Sequence, residues 1–303
     1  MAERIVAVFG ATGTQGSSVM DALLADGTFK PRAITRNPLS DAAQALKNRG
    51  AEVVQANLLD ADSVKRAISG CECVFGVTDY GDAAARAQGV NTEEKIGKSL
   101  VDSAKEVGVR FFVWSSLPNL TKVTGGKYCH AYHFDNKANV EDYLKESGLP
   151  NATLRTGFFA ENTWKTHCLR KSDSGFELTM PLQSESTPLQ FTWIGHDLGP
   201  SVLILLKNYQ SRQDEILGQT FHLISENVTF GNFAQALENA FGVPVKFKTA
   251  PKTGLLEIDD MLEVIAGMGM YGDVEIPDSR LLKLGLKFGT PQEFAESVKS
   301  RFL

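Results

Sequence analysis

The run Gly10-Ala11-Thr12-Gly13-Thr14-Gln15-Gly16 restricts this chain more than any other feature. Arg4-Ile5-Val6-Ala7-Val8-Phe9 before it reads as a short apolar strand. Residues 17–25 read as a helix, and Pro31-Arg32-Ala33-Ile34-Thr35-Arg36 as a second strand. Strand, glycine turn, helix and strand make the βαβ unit that holds a dinucleotide. Gly10 takes dihedrals that a side chain forbids. Gly13 lets a pyrophosphate approach the backbone, and Gly16 lets the helix pack on the sheet. The helix's free N–H groups and positive dipole end then face the phosphates.

Arg36 bears on the choice of dinucleotide. A carboxylate at the end of the second strand would grip the ribose 2′-OH of NAD. The chain instead carries Thr35-Arg36-Asn37. A guanidinium pairs bidentately with a 2′-phosphate, so NADP(H) is expected over NAD(H).

The rest of the sequence extends the same pattern. Helices are expected over residues 41–48, from residue 63, and over 91–107 and 135–146. Asn91 is a candidate N-cap. Strands are expected over residues 51–56, 73–78, 111–116 and 152–155. Near-continuous apolar strands alternating with helices indicate an α/β fold, a doubly wound parallel sheet of Rossmann type. Ligands of such sheets lie beyond the carboxyl ends of the strands. That rule gathers the glycine loop, Arg36, Asn57, Thr78 to Tyr80 and Ser115-Ser116 along one edge. Asn57 or Leu58 is placed to contact adenine, and Asp60 to cap the next helix.

After Asn162 the alternation loosens. Short strands are expected over residues 176–180, 190–194 and 220–224, and helices over 197–206, 230–241, 255–267 and 291–301. The expected division is a nucleotide-binding domain over residues 1–156 and a smaller α+β lobe over 157–303. Segments around 188–224 are placed to return to the first domain.

Composition narrows the function classes. Of 303 residues 43% are hydrophobic and 22% charged, as in ordinary globular domains. The net charge of −5, without a basic stripe, argues against direct nucleic-acid binding. No apolar run is long enough to span a membrane, and Met1 is expected to lead straight into the first strand without a leader. The four cysteines, Cys71, Cys73, Cys129 and Cys168, are scattered, so neither a disulfide framework nor a metal site is expected. The expected compartment is the cytoplasm, with the nucleus also open to it.

Lys137 stands near the start of the helix over residues 135–146. Short-chain dehydrogenases carry Tyr-x-x-x-Lys on this helix, where the lysine reaches the nicotinamide ribose and lowers the tyrosine's pKa. Here His133 occupies the position four before Lys137. Tyr132 lies roughly 140° around the helix from the lysine. Lys137 remains a candidate ribose ligand. His133 is a candidate proton donor, since imidazole titrates near neutrality. A helix-start hydrogen-bonding role for His133 is equally compatible.

Taken together, these stretches resemble the NmrA-like family, atypical relatives of the short-chain dehydrogenases. The likeness rests on the Gly10–Gly16 loop, Thr35-Arg36-Asn37-Pro38, Gly50-Ala51-Glu52-Val53-Val54, His133-Phe134-Asp135-Asn136-Lys137 and Phe158-Phe159-Ala160-Glu161-Asn162. Asp26-Gly27-Thr28-Phe29-Lys30 and Val140-Glu141-Asp142-Tyr143 are similar to the family's NADPH-sensing branch. Ser40 replaces that branch's second basic residue, Asn57 a usual acid and Thr156 a frequent proline. The resemblance implies NADP(H) contacts at Gly10, Ala11, Thr12, Gly13, Thr14, Gln15, Arg36, Asn57, Leu58, Thr78, Asp79, Tyr80, Lys137, Phe159, Ala160, Glu161 and Asn162.

Two functions follow as expectations. The favoured one is a redox sensor that answers the NADPH/NADP ratio through conformation, a protein partner or a homodimer, because the standard acid is missing. The alternative is an NADPH-dependent reductase of a small quinone-like, enone or aromatic substrate, walled by Phe158, Phe159 and Trp164.

Overall fold

The computed structural model describes residues 3–303. The expectation that the chain runs directly from Met1 into the first strand falls partly on Met1 and Ala2, which lie outside the described residues. The apolar runs read from the sequence become strands, the first five each followed by a helix. In chain order they are β1 (Ile5–Val8), α1 (Thr14–Asp26), β2 (Lys30–Thr35), α2 (Asp41–Asn48), β3 (Glu52–Gln55), α3 (Ala61–Ile68) and β4 (Cys73–Gly76). The short α4 (Ala83–Arg86), α5 (Thr92–Glu106), β5 (Phe111–Ser116), α6 (Leu120–Val123), α7 (Tyr132–Glu146) and β6 (Asn151–Thr156) follow.

Six of these strands and a later one, β11 (Gln219–Leu223), form one parallel sheet in the order β11-β6-β5-β4-β1-β2-β3. The order reverses between β1 and β4, which opens a crevice at the carboxyl ends of the strands. Successive residues of a strand point to opposite faces, so the apolar runs fill two layers. Val6, Val8, Phe75 and Val113 pack on one side with Val19 and Met20 of α1. Ala7, Phe9, Phe112 and Trp114 pack on the other with Ile68, Leu100 and Val140. The result is the Rossmann α/β fold.

The chain then builds two small sheets before and after returning to the large one. β7 (Phe158–Phe159), α8 (Asn162–Lys165), β8 (Leu169–Ser172), β9 (Gly175–Pro181) and β10 (Pro188–Thr192) lead into α9 (Ile194–Asn208). The short α10 (Gln213–Ile216) and β11 lead on to β12 (Glu226–Thr229), α11 (Phe230–Phe241), β13 (Val245–Ala250), α12 (Leu256–Met268), α13 (Ser279–Lys283) and α14 (Pro291–Phe302). The small sheets run β12-β10-β7 and β13-β9-β8. Their core is largely phenylalanine, with Phe176, Phe191, Phe230, Phe233, Phe241 and Phe294 buried together. Helix α9 lies against α1: Ser18 Oγ donates to the Ile194 carbonyl at 2.8 Å and accepts from Gly199 N at 3.0 Å.

Several local expectations shift, among them the start of α7, which is Tyr132 and not Asp135. Helix α1 begins at Thr14, three residues early, because Gly13 takes the N-cap position. Asn91 sits at the N-cap of α5, but its side chain makes no capping bond. The short strands β7, β8, β12 and β13 have no counterpart in the sequence expectations. Asp60 does cap α3, accepting from Asp62 N and Ser63 N at 3.1 Å each.

Candidate functional site

The crevice at the switch point has a volume of about 630 Å³. Its floor is the turn between β1 and α1. Gly10 lies at φ +62°, in the left-handed region. A Cβ on Gly16 would drive into the Gly10 carbonyl and the Ala11 amide, so α1 comes this close to β1 only with glycine there. The N-cap Gly13 offers no side-chain cap, and the first turn of α1 holds no acidic residue. The first amides of a helix have no partner within it. An uncapped helix start without a carboxylate is what a pyrophosphate needs.

Gly10, Thr12, Gly13, Thr14, Gln15, Arg36, Asn57, Leu58, Thr78, Asp79 and Phe159 all line this crevice. Ala11, Tyr80, Lys137, Ala160, Glu161 and Asn162 lie outside its walls. Arg36 stands exposed at the lip, its guanidinium paired with Asp82 at the N-cap of α4. Asn57 Oδ1 accepts from Leu59 N at 3.1 Å and so shapes the loop after β3. Glu161 turns away, its carboxylate accepting from Gly195 N at 2.7 Å and Ile194 N at 3.3 Å at the start of α9. Burial there pushes the Glu161 carboxyl above its usual range.

Behind Thr78 lies a buried polar cluster. Thr78 Oγ1 donates to Glu93 Oε1 at 2.8 Å, and the same oxygen is paired with Lys137 Nζ. Glu93 and Lys137 are 3% and 8% exposed, so this is a buried ion pair. Glu93 Oε2 is buried with no hydrogen-bond partner. Sequence reasoning found Lys137 but missed Glu93. The one signal was a carboxylate in the first turn of α5 on the face that points to the sheet.

The environment of His133 bears on its candidacy as a proton donor. Its ring packs against Tyr80 at 5.2 Å between centroids, and its Nδ1 is buried without a partner. Desolvation, then the charges of Lys137 and Arg86, push the imidazole down to about 3. It is therefore neutral near pH 7 and has no imidazolium proton to give. The unfolded chain takes up that proton below pH 6.5 while the folded chain refuses it. Stability therefore falls as pH drops from about 6.5 towards 3. Between pH 7 and pH 5 the wild type should lose about 1–2 kcal/mol more than His133→Phe. Denaturant titrations at the two pH values check this, and equal losses would refute it.

A second space opens next to the crevice. This cavity of about 710 Å³ is walled by Phe134, Phe158, Leu189, Met180, Met261, Ile265 and Met270 among others. Phe159 lines both spaces. Four of the walls, Ile258, Met261, Leu262 and Ile265, come from α12. Trp164 is not among the lining residues and packs on Phe294 instead, at 5.9 Å. Among the described residues no cluster of three or more His, Cys, Asp or Glu is arranged for a metal ion, and no helix is long and apolar enough to cross a membrane.

Comparison with known proteins agrees with this architecture. The chain is 38% identical over 153 residues to the NmrA-like family domain-containing oxidoreductase malD of Malbranchea aurantiaca. That match takes in 50% of this chain and 45% of the relative, so the chain spans about half the length of the curated relatives it matches. The crystal structure of NmrA, a negative transcriptional regulator, in complex with NADP superposes with a TM-score of 0.79 at 20% identity, over 99% of this chain and 97% of that one. The NADPH-dependent quinone oxidoreductase of Escherichia coli, complexed with NADPH, superposes with a TM-score of 0.68 at 20% identity, over 97% and 99%. The profile of the NmrA-like family itself matches residues 2–281, and the chain belongs to that family.

Proposed function

We propose that this chain is an NADP(H)-dependent oxidoreductase that reduces an apolar, quinone-like, enone or aromatic substrate. One observation carries the reading: Phe159 is a wall shared by the dinucleotide crevice and the apolar cavity. In this reading the N-terminus of α1 holds the pyrophosphate and Arg36 the 2′-phosphate. Thr12, Gln15 and Thr78 line the crevice itself. The bound cofactor supplies a hydride. The apolar walls exclude water from the transfer and select a flat, poorly hydrated acceptor. The oxidoreductase names among curated relatives and the reductase among structural neighbours support the same reading.

The regulator reading, favoured by the sequence alone, keeps one specific support. Lys137 is held by Glu93 and the tyrosine four residues before it is absent, so the standard acid–base pair is not assembled. A sensor of the NADPH/NADP ratio would need only differential binding of the two forms. The NmrA structure's description as a transcriptional regulator lends it weight.

The test separates chemistry from binding. NADPH oxidation is followed against a panel of quinones and enones, for the wild type and for Met261→Trp, which fills the cavity from α12. Turnover should fall by at least about tenfold in the variant while NADPH affinity stays the same. Tight NADPH binding with no turnover on any acceptor would return the choice to the sensor.

A further inference from the structure

Arg36 does not wait free at the crevice lip. Its guanidinium is paired with Asp82, which also lines the crevice. Asp82 does two things with its two oxygens. Oδ1 caps α4 by accepting from Ala85 N at 2.8 Å, and Oδ2 takes Arg36. Arg86 on the same short helix is engaged elsewhere, donating to Glu257 at 2.8 Å. Among the described residues Arg36 is therefore the cation that faces Asp82. Asp79, three residues earlier, is a second carboxylate on this wall. Ser40, across the lip, adds no charge and caps α2 by accepting from Ala43 N at 3.3 Å.

The arrangement is unusual for a site selective for a phosphate. A 2′-phosphate must draw Arg36 away from Asp82, and it then sits beside the released carboxylate. A ribose 2′-OH meets no such cost. It can donate a hydrogen bond to Asp82 while the ion pair stays intact. We propose that Asp82 is a specificity-determining residue which opposes Arg36 and moderates the preference for NADP(H) over NAD(H). This rests on the dinucleotide reading of the crevice. Selectivity is then set by the pair, not by Arg36 alone, and the wild type accepts both cofactors.

Asp82→Asn isolates the charge, because asparagine caps a helix as well as aspartate does. NADPH and NADH affinities are measured by fluorescence titration for wild type, Asp82→Asn and Arg36→Ala. The NADPH preference, taken as the ratio of the two dissociation constants, should rise by roughly three- to tenfold in Asp82→Asn. It should fall in Arg36→Ala. The gain in Asp82→Asn should come mostly from tighter NADPH binding and shrink at high salt. If the asparagine variant melts below the assay temperature, Asp82→Ser, which also caps, gives the same readout. An unchanged ratio, or equal shifts for both cofactors, overturns the role of Asp82 and leaves the dinucleotide site standing. Binding of neither cofactor to the wild type overturns both.

Discussion

Glu93→Ala should lower the free energy of unfolding by about 3–5 kcal/mol, among the largest effects available to a single substitution in this chain. The reason is asymmetric. Removing Glu93 strands the Lys137 ammonium, which is 8% exposed, and takes the acceptor from Thr78. The lysine cannot recover that loss by reaching solvent, because it sits in the body of α7 against β5. There the Lys137 carbonyl accepts from Trp114 Nε1 at 3.0 Å. Replacing both partners with apolar groups of similar size removes the charge problem altogether. The double variant Glu93→Leu with Lys137→Met should therefore recover most of the stability lost in Glu93→Ala. Chemical denaturation of the two variants against wild type measures this. If Glu93→Ala costs under about 1 kcal/mol, the pair is a solvated contact and not a buried one.

How much of this was legible in the sequence depends on how local the information is. The first βαβ unit is encoded within residues 4–36, and its glycines, apolar strands and Arg36 sit where the local pattern places them. Strand β5 and helix α11 have the residue bounds that periodicity gives. Lys137 was visible as a residue, but its partner was not, since Glu93 lies 44 residues away on another helix. Glu161 shows the same limit. It sits in a stretch read as a cofactor loop, yet its carboxylate serves the start of α9 some thirty residues on. The small sheets were hardest. β7 has two residues, and β13 finds its parallel partner β9 across three intervening strands and three helices. The apolar cavity was suggested through Phe158, Phe159 and Trp164, of which the first two line it and Trp164 does not. Its wall on α12, with Met261 and Ile265, lies in a segment that the sequence marks only as a helix.

Gly16→Ala should damage both the fold and the site, whereas Gly13→Ala should damage the site alone. A Cβ on Gly16 would overlap the Gly10 carbonyl and lie 2.7 Å from Ala11 N. These are backbone atoms and cannot turn aside, so α1 must move away from β1. Overpacking of this kind costs about 1–3 kcal/mol. The shift also carries the first amides of α1 away from the phosphate position. Each charge-assisted hydrogen bond lost there is worth about 1.5–3 kcal/mol, so NADPH affinity should drop by at least roughly tenfold. A Cβ on Gly13 would meet only the Gly10 carbonyl, at 3.3 Å, and the residue's φ of −91° suits any side chain. The stability cost there should stay under about 1 kcal/mol. NADPH should still bind more weakly, because the new methyl stands where the pyrophosphate approaches. Thermal melts and NADPH titrations of the two variants side by side decide the matter. If Gly13→Ala binds NADPH as the wild type does, the phosphate does not lie over this turn, and the crevice serves some other ligand.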